Sequence, residues 1–248
     1  YLNDLSAASS TLNTAMTIPN ISKTDLAECK LEYADIMLLK GDVWEALLYY
    51  SQVEKDFKES PVGHEAKFRR AKISYYQGDF QWAQAQLDVL KASTSKLISN
   101  DAMQLSLLIT DNYNLDTSEG AMQIFAYAEM LYYQQNYKQA LHNYDSILTH
   151  FDGHTLSDEI YIRKAEIYLQ QDSIDLALDM YQRIVLEWPF DILADDAIYF
   201  QAKIYDNVLK KPKTAMNLYE KILLLHSGSI FTSESRKRFR ILRGDNIN

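Results

Sequence analysis

Small and apolar residues recur along the chain at fixed spacings, five times over. Each of five alanines is followed four residues later by a tyrosine or leucine, and seven residues later by an aliphatic side chain. Spacings of four and seven put these side chains on one face of an α-helix. The five alanines that anchor this pattern are Ala46, Ala83, Ala140, Ala177 and Ala215.

A second set of alanines precedes the anchors at a nearly constant distance. Ala34, Ala71, Ala128 and Ala165 stand twelve residues before the first four anchors, and Ala202 stands thirteen before the fifth. Protein interiors are close-packed, so small residues mark places where two helices approach closely. The pattern therefore predicts an all-α fold of stacked helical hairpins, each with a helix A, a turn and a helix B, and these ten alanines at the crossings.

The spacing of the anchors divides the chain into segments. Ala46 to Ala83 is 37 residues, but Ala83 to Ala140 is 57, which indicates one extra helix and loop. That helix is predicted over residues 101–113, where apolar residues again follow helical spacing. The predicted segments are an N-terminal helix, the remnant of a truncated repeat (1–20), two hairpins (24–97), the inserted helix and loop (99–120), three hairpins (121–228) and a basic capping helix with a tail (229–248).

The turns inside the hairpins carry residues that tolerate a left-handed backbone. Gly41 and Gly78 stand where the first two helices A should end, and glycine favours that conformation at a helix C-terminus. The third and fourth hairpins have Gln135-Asn136 and Asp172-Ser173 at the same place. Asparagine and aspartate adopt the left-handed region more readily than most side chains.

Composition narrows the function classes. With 7 glycines and 4 prolines in 248 residues, the chain favours long helices over sandwiches or barrels. The formal net charge of −9 disfavours nucleic-acid binding, which depends on lysine and arginine contacts with phosphates. No run of about 18 apolar residues predicts a transmembrane helix. Membrane association is thus expected only through an anchor ahead of Tyr1.

The usual constellations of catalytic or ligating residues do not emerge from the sequence. His150 and His154 are four apart, but the segment between them is a connector and lacks further ligands. Cys29 and the nearest histidine, His64, belong to different predicted hairpins. No glycine-rich phosphate loop is present. The chain is therefore predicted to be no enzyme and to need no metal or cofactor.

The alanine pairs, the tyrosine after the second alanine and the proline after helix B resemble the tetratricopeptide repeat (TPR). The resemblance covers about residues 25–227 and is strongest from Ala165 to Pro189; Leu87 departs from it where an aromatic is usual. The typical period is about 34 residues, and this chain runs about three longer. The longer period and the connector from Trp188-Pro189 to Asp195-Asp196-Ala197 resemble TPR proteins of the bacterial envelope, such as the outer-membrane assembly lipoprotein BamD and the Tol-Pal-associated YbgF type.

The resemblance implies that helices A line a concave face. Residues just after the first alanine of each hairpin, with aromatics further along helix A, are then candidate partner contacts: Asp35, Lys72, Tyr76, Glu129, Tyr132, Tyr133, Glu166 and Lys203. The early positions of helices A are mostly acidic, as at Glu28, Glu65, Glu159 and Asp196, and would repel a peptide carboxylate. A basic or extended apolar ligand suits this face better, and a solvated face without a ligand is the alternative.

The C-terminal segment is strongly basic. Its five cations are Arg236, Lys237, Arg238, Arg240 and Arg243. One interpretation is the solvated polar surface that a repeat stack needs at its end. The other is a docking site for an acidic partner or an anionic membrane surface.

These observations support a scaffold that binds a protein or peptide. The envelope resemblance suggests a bacterial envelope complex on the periplasmic side of a membrane, with a cytoplasmic location as the alternative. A second hypothesis is a partner-binding C-terminal domain of a longer polypeptide whose effector or catalytic part is elsewhere; it is motivated by the start at Tyr1.

Overall fold

The computed structural model describes residues 4–92, 96–113 and 119–245, and all regular secondary structure in these ranges is helical. The predicted loop after the inserted helix lies largely outside the described residues, as do residues 1–3 of the predicted N-terminal helix and residues 246–248 of the predicted tail. The described helices belong to two compact units, Tyr1–Asp152 and Gly153–Asn248. The division follows the third hairpin rather than the inserted helix.

The first unit consists of three hairpins and two further helices. α1 packs on α2, and α2 and α3, α4 and α5, and α7 and α8 pair as hairpins, with α6 between the second and third pair. The helices are α1 Leu5–Met16, α2 Lys23–Leu39, α3 Val43–Asp56, α4 Pro61–Tyr76, α5 Phe80–Lys91, α6 Lys96–Tyr113, α7 Glu119–Tyr133 and α8 Tyr137–His150.

The second unit consists of two hairpins and a terminal helix that packs on the last of them. A π-helical turn, Ile204–Val208, extends the first helix of its second hairpin. The helices are α9 Ser157–Gln170, α10 Ile174–Glu187, α11 Ala194–Lys203, α12 Pro212–Leu225 and α13 Thr232–Arg243. The all-α, TPR-like arrangement of hairpins with an inserted helix and a C-terminal helix is thus confirmed.

Four of the hairpin turns have the same backbone geometry. Gly41, Gly78, Gln135 and Asp172 each have a positive φ, between 54° and 86°. The next residue donates its backbone N–H to a carbonyl five positions back, as from Asp42 to Met37 at 2.8 Å. This hydrogen bond closes a Schellman motif, which satisfies carbonyls that the end of a helix leaves unpaired. The following helix therefore starts in a fixed direction.

The alanines at the predicted crossings all lie in the interior. Each of the ten has 0% of its surface exposed, from Ala34 and Ala46 in the first hairpin to Ala202 and Ala215 in the last. The tyrosine or leucine four residues after each anchor is at most 1% exposed. Small side chains let the two helices approach, and the aromatic ring fills the space beside the crossing.

The inserted helix leaves the row of helices A continuous. α6 packs along α5, while α7 packs against α4 as α4 packs against α2. The helix begins at Lys96, five residues before its predicted start at Asp101. Ile98 lies one helical turn before Ala102, and both are buried, so the buried face of the helix extends back to it. α2, α4 and α7 therefore form one row in the first unit.

The extra residue of the fifth hairpin is accommodated by the π-helical turn. Ala202 and Ala215 are thirteen residues apart instead of twelve, and Leu209 donates its N–H to Ile204, five residues back. A π-turn of this kind absorbs a single inserted residue within a helix. Lys210 then has the positive φ, 52°, of the turn position. The crossing of the two alanines is preserved.

Candidate partner-binding face

Two hairpins of the first unit are linked internally by a tyrosine and a carboxylate. Tyr50 on α3 donates its hydroxyl hydrogen bond to Asp35 on α2, and Tyr144 on α8 donates to Glu129 on α7 at 2.5 Å. Each acid directly follows the first alanine of its hairpin. Burial, and then the nearby Asp35 carboxylate, raise the pKa of Tyr50. The tyrosine thus stays neutral and acts as a donor between the two helices.

The other hairpins vary this link. In the second hairpin the residue after the alanine is Lys72, and the tyrosine position holds Leu87, so no such pair forms. In the fifth hairpin Tyr219 donates to Asp206 at 3.3 Å. The residue after the first alanine of this hairpin is Lys203, which cannot accept this hydrogen bond. The π-helical turn instead places the carboxylate of Asp206 within reach of Tyr219.

A charged and aromatic cluster lies along the row of α2, α4 and α7. The Lys72 ammonium is 5.2 Å from the ring centre of Tyr133 and 5.8 Å from that of Tyr76. Burial lowers the pKa of Lys72, and the carboxylates of Asp35 and Glu129 oppose this shift. The structure therefore brings together five of the predicted contact residues, Asp35, Lys72, Tyr76, Glu129 and Tyr133.

Arg69 on α4 forms ion pairs with acids on both α2 and α4. Its guanidinium lies 2.6 Å from Asp35 and 2.8 Å from Glu65, and 3.7 Å from the more exposed Glu32. Asp35 therefore receives hydrogen bonds from both Arg69 and Tyr50. These acids mainly bind neighbouring side chains within the unit, a role that the sequence pattern did not indicate for Asp35 and Glu129.

The remaining predicted contact residues lie apart from this cluster. Tyr132 packs on Tyr137 near the turn between α7 and α8, with 6.0 Å between ring centres. In the second unit, Glu166 pairs with Arg163 on the same helix at 2.9 Å. Lys203 is exposed, and its ammonium lies 5.6 Å from the ring centre of Tyr199. Their part in partner binding stays a prediction.

Next to the cluster, α2 and the start of α4 enclose an open groove of about 710 Å³. Its apolar lining comes from Leu31 on α2, Phe57 at the end of α3, and Pro61 and Val62 on α4. Its polar lining comes from Thr24, Glu28, Glu32, Ser60, Glu65 and Arg69. The groove combines an apolar floor with an excess of carboxylates. We call it the α2–α4 groove.

The basic C-terminal helix is partly neutralised by acids of its own unit. Arg238 pairs with Asp206 at 2.7 Å, and Arg240 and Arg243 lie 3.3 and 2.5 Å from Asp245. Arg236 and Lys237 are exposed. The predicted patch of five cations therefore contains two whose charge no acid in the described part of the chain offsets at ion-pair distance.

Carboxylates at the start of α9 lie against a connector rather than in open solvent. Asp158 is buried, and Glu159 is partly buried, with an Oε2 atom that accepts no hydrogen bond from the described residues. Burial, and then the hydrogen bond and charge of Asp158, raise the pKa of Glu159 to about 9. Asp191 adds a further negative charge. Glu159 therefore holds a proton at neutral pH in the folded unit.

Replacing Glu159 should make the stability of the second unit less sensitive to a rise in pH from about 5 to about 8. A folded pKa above the usual 4.5 means that the folded state holds more protons. The contribution of Glu159 to the free energy of unfolding is therefore largest at low pH and is lost as the pH rises towards about 9. We expect Glu159→Gln to gain stability over the parent between about pH 5 and pH 8, measured by urea unfolding. Glu187→Gln, an exposed change in the same unit, is the control, and an equal difference at both pH values would contradict the assignment.

Metal binding and membrane insertion find no support in the described residues. No group of three or more histidine, cysteine, aspartate or glutamate side chains there is arranged to hold a metal ion. Both His150 and His154 have local partners: His150 lies 2.8 Å from the carbonyl of Ser146, and His154 accepts from the amide of Leu156. None of the helices described is both long and apolar enough to cross a bilayer.

Comparisons with known proteins assign no family to the chain. No protein-family model matches the chain, and no curated protein matches it. A solved tetratricopeptide repeat protein from Parabacteroides merdae aligns over 97% of this chain and 93% of its own, with 12% sequence identity and a TM-score of 0.40. The helix pairing and the buried alanines of this chain are the evidence for its TPR-like fold.

Proposed function

We propose that the chain is a non-enzymatic scaffold that presents the row of α2, α4 and α7 to a protein or peptide. The observation that carries this proposal is the α2–α4 groove, which is open, apolar at its base and directly beside the aromatic cluster. Arrays of helical hairpins offer extended surfaces of this kind for binding. The Tyr50–Asp35 and Tyr144–Glu129 links support it, because they hold the helices that form the surface in fixed positions.

A bacterial envelope complex, on the periplasmic side of a membrane, is the proposed setting. This part of the proposal is supported by the sequence of the connector that ends α10 and begins α11, with Trp188-Pro189 followed by Asp195-Asp196-Ala197. Trp188 packs on Tyr161, with 5.9 Å between ring centres, so the aromatic residue of this connector has a structural role.

Site-specific photo-crosslinking tests the binding face. We would place a photoreactive residue at Glu32, on the rim of the groove, and in a second variant at Trp82, an exposed position on α5. The full chain is then irradiated with envelope and soluble fractions of the source cell. A discrete protein adduct is expected from Glu32 with the envelope fraction and not from Trp82.

The opposite outcomes are equally informative. Equal adducts from both positions would contradict the assignment of the face, and a Glu32 adduct only in the soluble fraction would contradict the envelope setting. Glu129 is unsuitable as a probe position because it is 9% exposed and accepts the Tyr144 hydrogen bond. A change there would test the packing of α7 on α8 instead.

A further inference from the structure

We propose that the α2–α4 groove binds an extended segment that carries arginine or lysine next to apolar side chains. This inference rests on the proposed scaffold function and specifies the chemistry of the partner. The floor of the groove, the charges on its rim and the ion pairs of Arg69 support it.

The floor favours apolar side chains. Phe57 and Val62 are partly exposed and Pro61 is exposed, so they offer apolar surface to a ligand, and the buried Leu31 closes the base beneath them. The groove volume of about 710 Å³ falls within the roughly 300–1,000 Å³ of typical ligand clefts. Apolar groups placed on this floor would leave water, which is the main favourable contribution in most protein association.

The rim favours positive charge. Glu28 and Glu32 lie one helical turn apart on α2, both exposed, and both line the groove. The one cation in the lining, Arg69, is already compensated by Asp35 and Glu65 at 2.6 and 2.8 Å. The net charge that a ligand meets is therefore negative. A peptide carboxylate would be repelled, whereas a guanidinium or ammonium group would be attracted.

A neighbouring pocket beside α2 has the reverse balance of charges. A second pocket, of about 410 Å³, lies between α2 and the end of α3 and is lined by Lys23, Lys30 and a single acid, Asp56. Phe57 borders both spaces. Because oppositely charged surfaces flank one helix, a basic segment is directed to the α2–α4 groove and away from its neighbour. This contrast gives orientation and specificity more than raw affinity.

Short labelled peptides test the inference by fluorescence anisotropy with the full chain. The basic probe is Gly-Leu-Arg-Leu-Arg-Gly, the acidic probe is Gly-Leu-Glu-Leu-Glu-Gly, and a third probe replaces leucine by serine in the basic peptide. We expect the basic probe to bind at least about tenfold more tightly than either of the others. Its affinity should fall as salt rises from about 0.05 M to about 0.5 M, since exposed charges are screened.

Two double variants locate the site. Glu28→Gln with Glu32→Gln should weaken the basic probe by about fivefold and reduce its salt dependence, in keeping with exposed ion pairs. Asp172→Asn with Glu187→Gln removes two exposed charges from the second unit and should leave the affinity unchanged. Thermal unfolding of both variants checks that the fold is retained. Equal binding of acidic and basic probes, or an unaltered affinity in the first variant, would overturn the inference.

The remaining outcomes separate this inference from the proposed function. A crosslinked adduct at Glu32 without preference for the basic probe leaves the scaffold in place and contradicts the charge of its ligand. If neither the Glu32 adduct nor the preference for the basic probe is observed, both proposals are contradicted. Sedimentation velocity of the peptide-free chain addresses a different occupant: a dimer that the basic probe dissociates would show that a second copy of the chain fills the groove, and would also overturn the inference.

Discussion

Ala177→Arg is expected to unfold the hairpin formed by α9 and α10. Ala177 is fully buried and belongs to a core cluster with Ala165, Tyr181 and Ile184. An arginine there overfills a packed crossing, which costs about 1–3 kcal/mol. It also buries a charge for which the cluster offers no partner. We expect a total loss of about 5 kcal/mol in the free energy of unfolding, close to the whole stability of many domains.

The neighbouring residue supplies the matched control. Leu176 is 50% exposed, so Leu176→Arg introduces the same side chain one position away and should cost little. Circular dichroism would measure the melting curves, and hydrogen exchange would show whether α9 and α10 lose amide protection. If Ala177→Arg melts like Leu176→Arg, Ala177 is not at a helix crossing and the hairpin assignment is wrong.

The fold was predictable because a close crossing of two helices accepts only small side chains. A helix surface accepts many residues, but a close crossing accepts few, so repeated alanines at twelve-residue spacing define both helices and the turn. The turn residues agree with this: Gly41 and Gly78 adopt the left-handed backbone, as do Gln135 and Asp172. The thirteen-residue spacing before Ala215 was visible too. The π-helical turn that accommodates the extra residue was not predictable, because one more residue fits either in the turn or within the helix.

For the residues along α2, α4 and α7, the sequence indicated their proximity better than their pairing. Asp35 and Glu129 directly follow the buried Ala34 and Ala128. That position alone does not decide which way a carboxylate turns. A signal was present in the pairing, because an acid precedes a tyrosine by fifteen residues at Asp35–Tyr50 and at Glu129–Tyr144. Both pairs are hydrogen-bonded across their hairpins, whereas Glu166, at the same separation from Tyr181, pairs with Arg163.

The α2–α4 groove was less accessible to sequence reasoning. Its shape depends on how far the start of α4 stands from α2 and on where Phe57 places its ring, and neither follows from periodicity. Glu28 and Glu65 were recognised as acids near the start of helices A. Glu32, one turn further along α2, contributes to the groove only because the connector beyond α3 brings Pro61 and Val62 opposite it.

Gly63→Ala is expected to destabilise the first unit although it lies in a helix. At an ordinary helical position this substitution stabilises by up to about 1 kcal/mol. Here a Cβ atom would stand 1.8 Å from the carbonyl oxygen of Phe57 and 2.6 Å from its carbonyl carbon. Both are backbone atoms, so no side-chain rotation relieves the clash. The start of α4 must move away from the connector, at a cost of about 3 kcal/mol.

The displacement also disturbs hydrogen bonds that shape the connector. The Phe57 carbonyl accepts from the backbone and hydroxyl of Ser60, each at 3.0 Å, and the Ser60 hydroxyl caps α4 at the amide of Gly63. Urea unfolding would measure the loss, with Gly228→Ala as the control because a Cβ atom there meets nothing within 4 Å. A variant of Gly63 as stable as the control would mean that α4 does not contact the connector this closely. Because Phe57 and Val62 line the α2–α4 groove, the geometry of that groove depends on the same contact.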